Sequence, residues 1–125
     1  MVTRIFCVLF VALISCPVSA HDGSEALIDA IVGLLKDEDG DIRALAYEQV
    51  RTEVKGEAAT KVFAAQLPEL SPEAQAGLMR ALAVRGDQAA RPAVLDLLSK
   101  SKETSVRVAA IESIGSLGKA DDVQL

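Results

Sequence analysis

The chain repeats itself. Three ten-residue segments align: DIRALAYEQV (41–50), EAQAGLMRAL (73–82) and SVRVAAIESI (105–114), each starting 32 residues after the last. Arg43, Gln75 and Arg107 fall in register, as do Ala44, Ala76 and Val108. So do Ala46, Leu78 and Ala110, and then Val50, Leu82 and Ile114. A period of this length marks an array in which each unit is one supersecondary element. No such unit buries its apolar stripe alone, so neighbours stack into a continuous core.

The segment before each of these also matches. LIDAIVGLLKD (27–37) and RPAVLDLLSKS (91–101) share the i, i+3, i+4, i+7 apolar spacing of an amphipathic helix, and ATKVFAAQLPE (59–69) is a weaker copy. Beyond Asp22 there is no period-two alternation, and Ala and Leu abound. Each repeat is therefore expected to be a helix, a short turn and a second helix. Small residues such as Ala46 and Ala110 let helices approach, and Leu34, Leu35, Leu97 and Leu98 are expected to fill the space between layers.

The punctuation agrees with this reading. Asp39 and Gly40 precede the first of the aligned helices. Ser71 is placed as an N-cap with Pro72 at the first helical position, where a missing N–H costs nothing. Glu103 or Thr104 holds the equivalent place in the third repeat. Gly56, Gly86 and Gly118 follow the second helices and are expected to supply left-handed caps.

Arg43 and Arg107 with their apolar neighbours, followed by AVRGDQAARPAVLDLL (83–98) and SIGSLGKADDV (113–123), resemble HEAT-like repeats of the phycobilisome-lyase type. The third repeat matches best. The middle one departs most, with Gln75 in place of the arginine and Ala74 in place of a β-branched residue. The resemblance implies an all-α superhelix (a HEAT-like solenoid) of about three helix pairs. The expected repeats span about 24–56, 57–86 and 87–118, and GKADDVQL (118–125) reads as the turn and opening of a fourth, which starts over 119–125. A solenoid normally ends in a polar capping repeat. The expectation is therefore that the reading frame continues past Leu125, with capping by a partner chain as the alternative.

Residues 1–20 carry the three parts of a secretory signal. These are Arg4 near the start, the apolar run IFCVLFVALI (5–14), and small residues at Val18 and Ala20. The apolar run is shorter than the ~20 residues that span a bilayer. Cleavage between Ala20 and His21 would release a chain over residues 21–125. The competing cut is at LISC (13–16), which resembles a bacterial lipobox and would leave a lipid anchor on Cys16; Pro17 is a poor context for that processing. Release after Ala20 gives an exported protein, periplasmic or secreted, with no membrane span once the signal is gone; the Cys16 cut gives an exported lipoprotein anchored to a membrane.

The remaining residues exclude several chemistries. Both cysteines, Cys7 and Cys16, precede Ala20, so cleavage there removes every thiol. The net charge is −5, and Lys and Arg are scattered, so nucleic acid is not an expected partner. Past residue 20 the aromatic residues are Tyr47 and Phe63, too few for a stacking platform. Asp37, Asp39, Asp41 and Glu48 stand at positions 1, 3, 5 and 12 of a calcium-loop pattern, but Ile42 takes the place of its obligatory glycine. These acids are read instead as a helix start, where negative charge favours the dipole. GSLGK (115–119) lacks the spacing of a phosphate loop. His21 is the only histidine, which leaves no Ser–His–Asp set and no second ligand for copper at the terminus.

No catalytic residue, metal ligand or cofactor is therefore expected. Arg43, Gln75 and Arg107 are assigned a structural role, either as a ladder to acids in neighbouring turns or as solvated rim residues. The expected function is an exported scaffold that presents a helical surface to another protein. Two alternatives stand beside it. The repeats are an accessory to a secreted enzyme or redox domain beyond residue 125, or, as the family name implies, a bilin lyase subunit. A secretory leader stands against the last.

Overall fold

The computed structural model describes residues 23–118. Residues 1–22 and 119–125 lie outside that description, and with them the leader, Cys16, the Ala20–His21 junction and the start of a fourth repeat. The described residues form six α-helices: α1 Gly23–Leu35, α2 Gly40–Thr52, α3 Glu57–Ala65, α4 Pro72–Arg85, α5 Arg91–Lys100 and α6 Thr104–Leu117. Two 3-10 turns, Leu67–Glu69 and Gln88–Ala90, precede α4 and α5. There is no strand among the described residues. This is the all-α repeat stack that the 32-residue period implies.

The three aligned segments are α2, α4 and α6, the second helix of each pair. Helix α4 lies closely against α2 on one side and α6 on the other, whereas α1, α3 and α5 touch one another only lightly. The second helices therefore form one closely packed layer, the inner layer, and the first helices a looser outer one. The core runs between the two layers. Ile31 and Leu35 come from α1, Ala46 and Val50 from α2, and Phe63 from α3. Leu78, Met79 and Leu82 from α4, Val94 from α5, and Val106, Ala110 and Leu117 from α6 complete it, all fully buried. Leu34, Leu97 and Leu98 are only partly buried against this core; on α5 it is Val94 that is enclosed.

Local chemistry sets the helix ends. Asp39 caps α2, its carboxylate accepting from the Asp41 N–H at 2.8 Å. Ser71 caps α4, and Pro72 opens it. Glu103 takes the cap position of α6 without a side-chain bond. Helix α3 stops at Ala65 and tightens into a 3-10 turn because Pro68 has no N–H and its ring collides with a preceding carbonyl.

Of the three glycines expected as left-handed caps, one serves. Gly86 (φ 73°) closes α4, donating to the Leu82 carbonyl at 3.1 Å. Gly118 is extended, with φ −77°. Gly56 has φ 108° and ψ 163°, a glycine-only region but not the left-handed helical one, and it precedes α3 rather than closing α2. The positive φ after α2 falls on Val54, at 41°. The reason lies in what surrounds that turn.

Candidate functional site

The aligned positions Arg43, Gln75 and Arg107 do the same job in their own repeats. Arg43 Nη1 donates to the carbonyls of Asp37 and Glu38, both at 2.8 Å. Gln75 Nε2 donates to the Leu67 carbonyl at 2.9 Å. Arg107 Nη1 donates to the carbonyls of Leu98 (3.1 Å) and Ser101 (3.4 Å). Each side chain donates to backbone carbonyls at or just after the end of the first helix, and so ties the two helices of a pair. An amide serves as well as a guanidinium for this, so Gln75 keeps the role that the two arginines have. Reaching the next repeat is a separate matter. Arg43 does so through Nη2, 3.3 Å from Glu73 Oε2.

Tyr47 extends that link. Its ring lies on Gly77 of α4 so closely that a Cβ there would overlap the phenol. Burial raises the Tyr47 hydroxyl above its usual pKa, and the hydrogen bond with Arg43 opposes the shift.

Arg85 is the residue that the sequence reading missed. All five of its N–H donors are used. Nε donates to Thr60 Oγ1 at 2.7 Å. Nη1 donates to the carbonyls of Val50 and Glu53, both at 2.9 Å. Nη2 donates to the carbonyls of Val54 and Gly56. The guanidinium also sits 5.6 Å from the centre of the Phe63 ring. Thr60 Oγ1 is 2.9 Å from Asp87 Oδ2, and Asp87 Oδ1 accepts from the Ala89 N–H at 3.0 Å. Burial lowers the Arg85 pKa. The bond from Ala89, and then that from Thr60, hold the Asp87 carboxyl below its usual range. This clamp binds the turn between the first and second repeats to the end of α4. The only signal for it in the sequence is an arginine directly before a cap glycine, Arg85–Gly86.

The free surface of the inner layer is read most clearly on α4, which has a neighbour on each side. Its exposed residues after the first turn begins are Glu73, Arg80 and Val84, with Gly77 half-buried between them. That is one helix face. The same face carries Asp41, Leu45, Glu48 and Thr52 on α2, and Ser105, Glu112 and Ser116 on α6. Leu45 and Val84 are 54% and 68% exposed. Arg80 pairs with Glu112 at 3.4 Å and Arg51 with Glu48 at 2.9 Å, so charge is interspersed with apolar side chains.

The acids of the calcium-like pattern do not converge. Asp37 accepts from the Asp39 N–H, Asp39 caps α2, and Glu48 faces Arg51. Among the described residues no cluster of His, Cys, Asp or Glu is arranged to hold a metal. Gly115, Ser116 and Leu117 of GSLGK are helical, and Gly118 ends α6. No helix among the described residues is long and apolar enough to cross a membrane.

Comparison with known families matches residues 60–125 to HEAT repeats. No curated protein and no solved structure matches the chain. The match covers more than half of the sequence and the helix pairs account for the remainder of the described residues: the chain belongs to the HEAT-repeat family.

Proposed function

We propose that this chain is an exported, non-catalytic binding module that presents the inner face of its second helices to another protein. HEAT repeats in general mediate protein–protein contact. The observation that carries the proposal is the face shared by α2, α4 and α6. Large apolar side chains, Leu45 and Val84, stand exposed there among Asp41, Glu48, Glu73, Arg80 and Glu112. Apolar anchors inside a polar surround are the anatomy of a protein interface. The arginine-and-alanine start of α6 (Val106, Arg107, Ala109, Ala110) supports the phycobilisome-lyase type of repeat as the subtype. The leader pattern of residues 1–20 supports export, with release after Ala20.

The test is specific capture of envelope or extracellular proteins on the immobilised full chain. Val84→Glu with Arg80→Glu is expected to abolish capture while helicity and the melting transition stay unchanged. Capture that survives both substitutions places binding elsewhere. Intact mass of the protein recovered from the envelope distinguishes a chain starting at His21 from one lipidated on Cys16.

A further inference from the structure

The contacts between the first two repeats define an offset that can be followed along the chain. Lys36 Nζ is 3.0 Å from Glu69 Oε2, Arg43 Nη2 is 3.3 Å from Glu73 Oε2, and Tyr47 lies on Gly77. Moved on by one period of 32, these pairs become Pro68 and Ser101, Gln75 and Ser105, and Met79 and Ala109. The charges are gone there, and Met79 and Ala109 are fully buried. Moved on once more, the donor side is Lys100, Arg107 and Ile111. All three are exposed, and Ile111 is 59% exposed where Met79 is fully covered. Arg107 uses Nη1 on its own turn as Arg43 does, and no carboxylate lies against it among the described residues. Among the described residues Lys100 pairs with Asp96 of its own helix, at 2.8 Å, an exposed pair that exchanges easily.

The acceptor side that this offset asks for exists in the first described repeat of the same chain. The first repeat presents Asp37, Asp41 and Leu45 at the positions that Glu69, Glu73 and Gly77 hold in the second. Asp41 and Leu45 are exposed. Asp41 has no ion-pair partner among the described residues.

We infer that copies of this chain associate head to tail, the α6 face of one stacking on the α2 face of the next. Lys100 then meets Asp37, Arg107 meets Asp41 and Ile111 meets Leu45, continuing the register of the first two repeats across the junction. The contact is heterologous, so association is open-ended unless the superhelix closes into a ring. One pair opposes it: the offset that sets Arg80 against Glu112 inside the chain sets Glu112 against Glu48 between chains.

The test is sedimentation velocity of the full chain over roughly a thousand-fold concentration range. The mean mass is expected to rise beyond that of a dimer, and to fall back as salt is raised. Lys100→Glu with Arg107→Glu, and separately Asp37→Lys with Asp41→Lys, are each expected to weaken association at least tenfold. An equimolar mixture of the two variants restores it, because each reversed face then meets its complement. Ile111→Arg changes an exposed side chain and keeps the fold, yet is expected to abolish the contact. Glu48→Arg is expected to tighten it about threefold. A wild-type chain that stays monomeric throughout, as when another part of the polypeptide covers α6, overturns the inference. So does a dimer that is indifferent to these substitutions, or a mixture that fails to reassociate.

Discussion

Gly86 ends α4 in the left-handed region unaided, whereas the turn after α2 sets Val54 at positive φ and surrounds it with an arginine. These are the two turns that join successive repeats. A β-branched residue at φ 41° is a genuine outlier, costing about 1–3 kcal/mol. Glycine meets the same requirement with no steric cost. The first turn therefore depends on something outside itself, and Arg85 supplies it by binding the carbonyls of Val50, Glu53, Val54 and Gly56. The residue 32 positions after Arg85 is Leu117, fully buried. One junction is held by an arginine from the next repeat, the other by its own glycine and Asp87 together with apolar packing.

The comparison is broken most directly at Arg85. Arg85→Ala strips hydrogen bonds from four carbonyls and from Thr60, and is expected to cost about 3 kcal/mol. Urea unfolding followed by circular dichroism measures this. A loss under 1 kcal/mol would mean that the turn holds itself.

Next come the two glycines. Gly56 lies in a region that other residues do not enter, so Gly56→Ala is expected to cost about 2 kcal/mol. Gly86→Ala meets only the ordinary left-handed penalty, about 1 kcal/mol. Equal losses would show that the two turns are not under different constraint. Val54→Gly is expected to go the other way. It relieves the positive φ, offset in part by the looser unfolded chain, for a net gain of about 0.5 kcal/mol. Combined with Arg85→Ala in a double-mutant cycle, it should recover part of the arginine's loss, because less strain remains to be held.

How far these features were legible beforehand depends on their range. The helix pairs were legible because the period of 32 and the 3.6-residue apolar spacing are local and repeated three times. Asp39, Ser71 and Pro72 were legible because capping acts over two or three residues. Val54 was not, since its backbone conformation opposes the preference of its side chain. Arg85 was not, because its partners lie 25 to 35 residues away and no other repeat has a counterpart. Gln75 read as a departure from the arginine of the neighbouring repeats, because residue type suggested ion pairing when the shared role was donation to carbonyls. Lys36 and Glu69, paired at 3.0 Å, carry no motif at all.

The smallest effect is the one that titrates. Asp87 begins the second turn yet reaches Thr60, the hydroxyl that Arg85 holds, and so links the two junctions. Its carboxyl is held below its usual pKa by the Ala89 N–H and then by Thr60. The folded state therefore takes up the proton less readily than the unfolded chain. The stability this contributes is fully present above the unfolded value of about 4, and is lost as pH falls through the lower folded value. Arg85 keeps its charge throughout, so the carboxylate alone makes the clamp sensitive to acid. Asp87→Asn retains an acceptor oxygen but not the charge. It is expected to be slightly less stable than the parent near neutrality, with the gap closing below about pH 4. Urea midpoints of the two proteins at a series of pH values measure that gap. A gap that stays constant into acid would mean that Asp87 acts through its shape in the turn rather than through its charge.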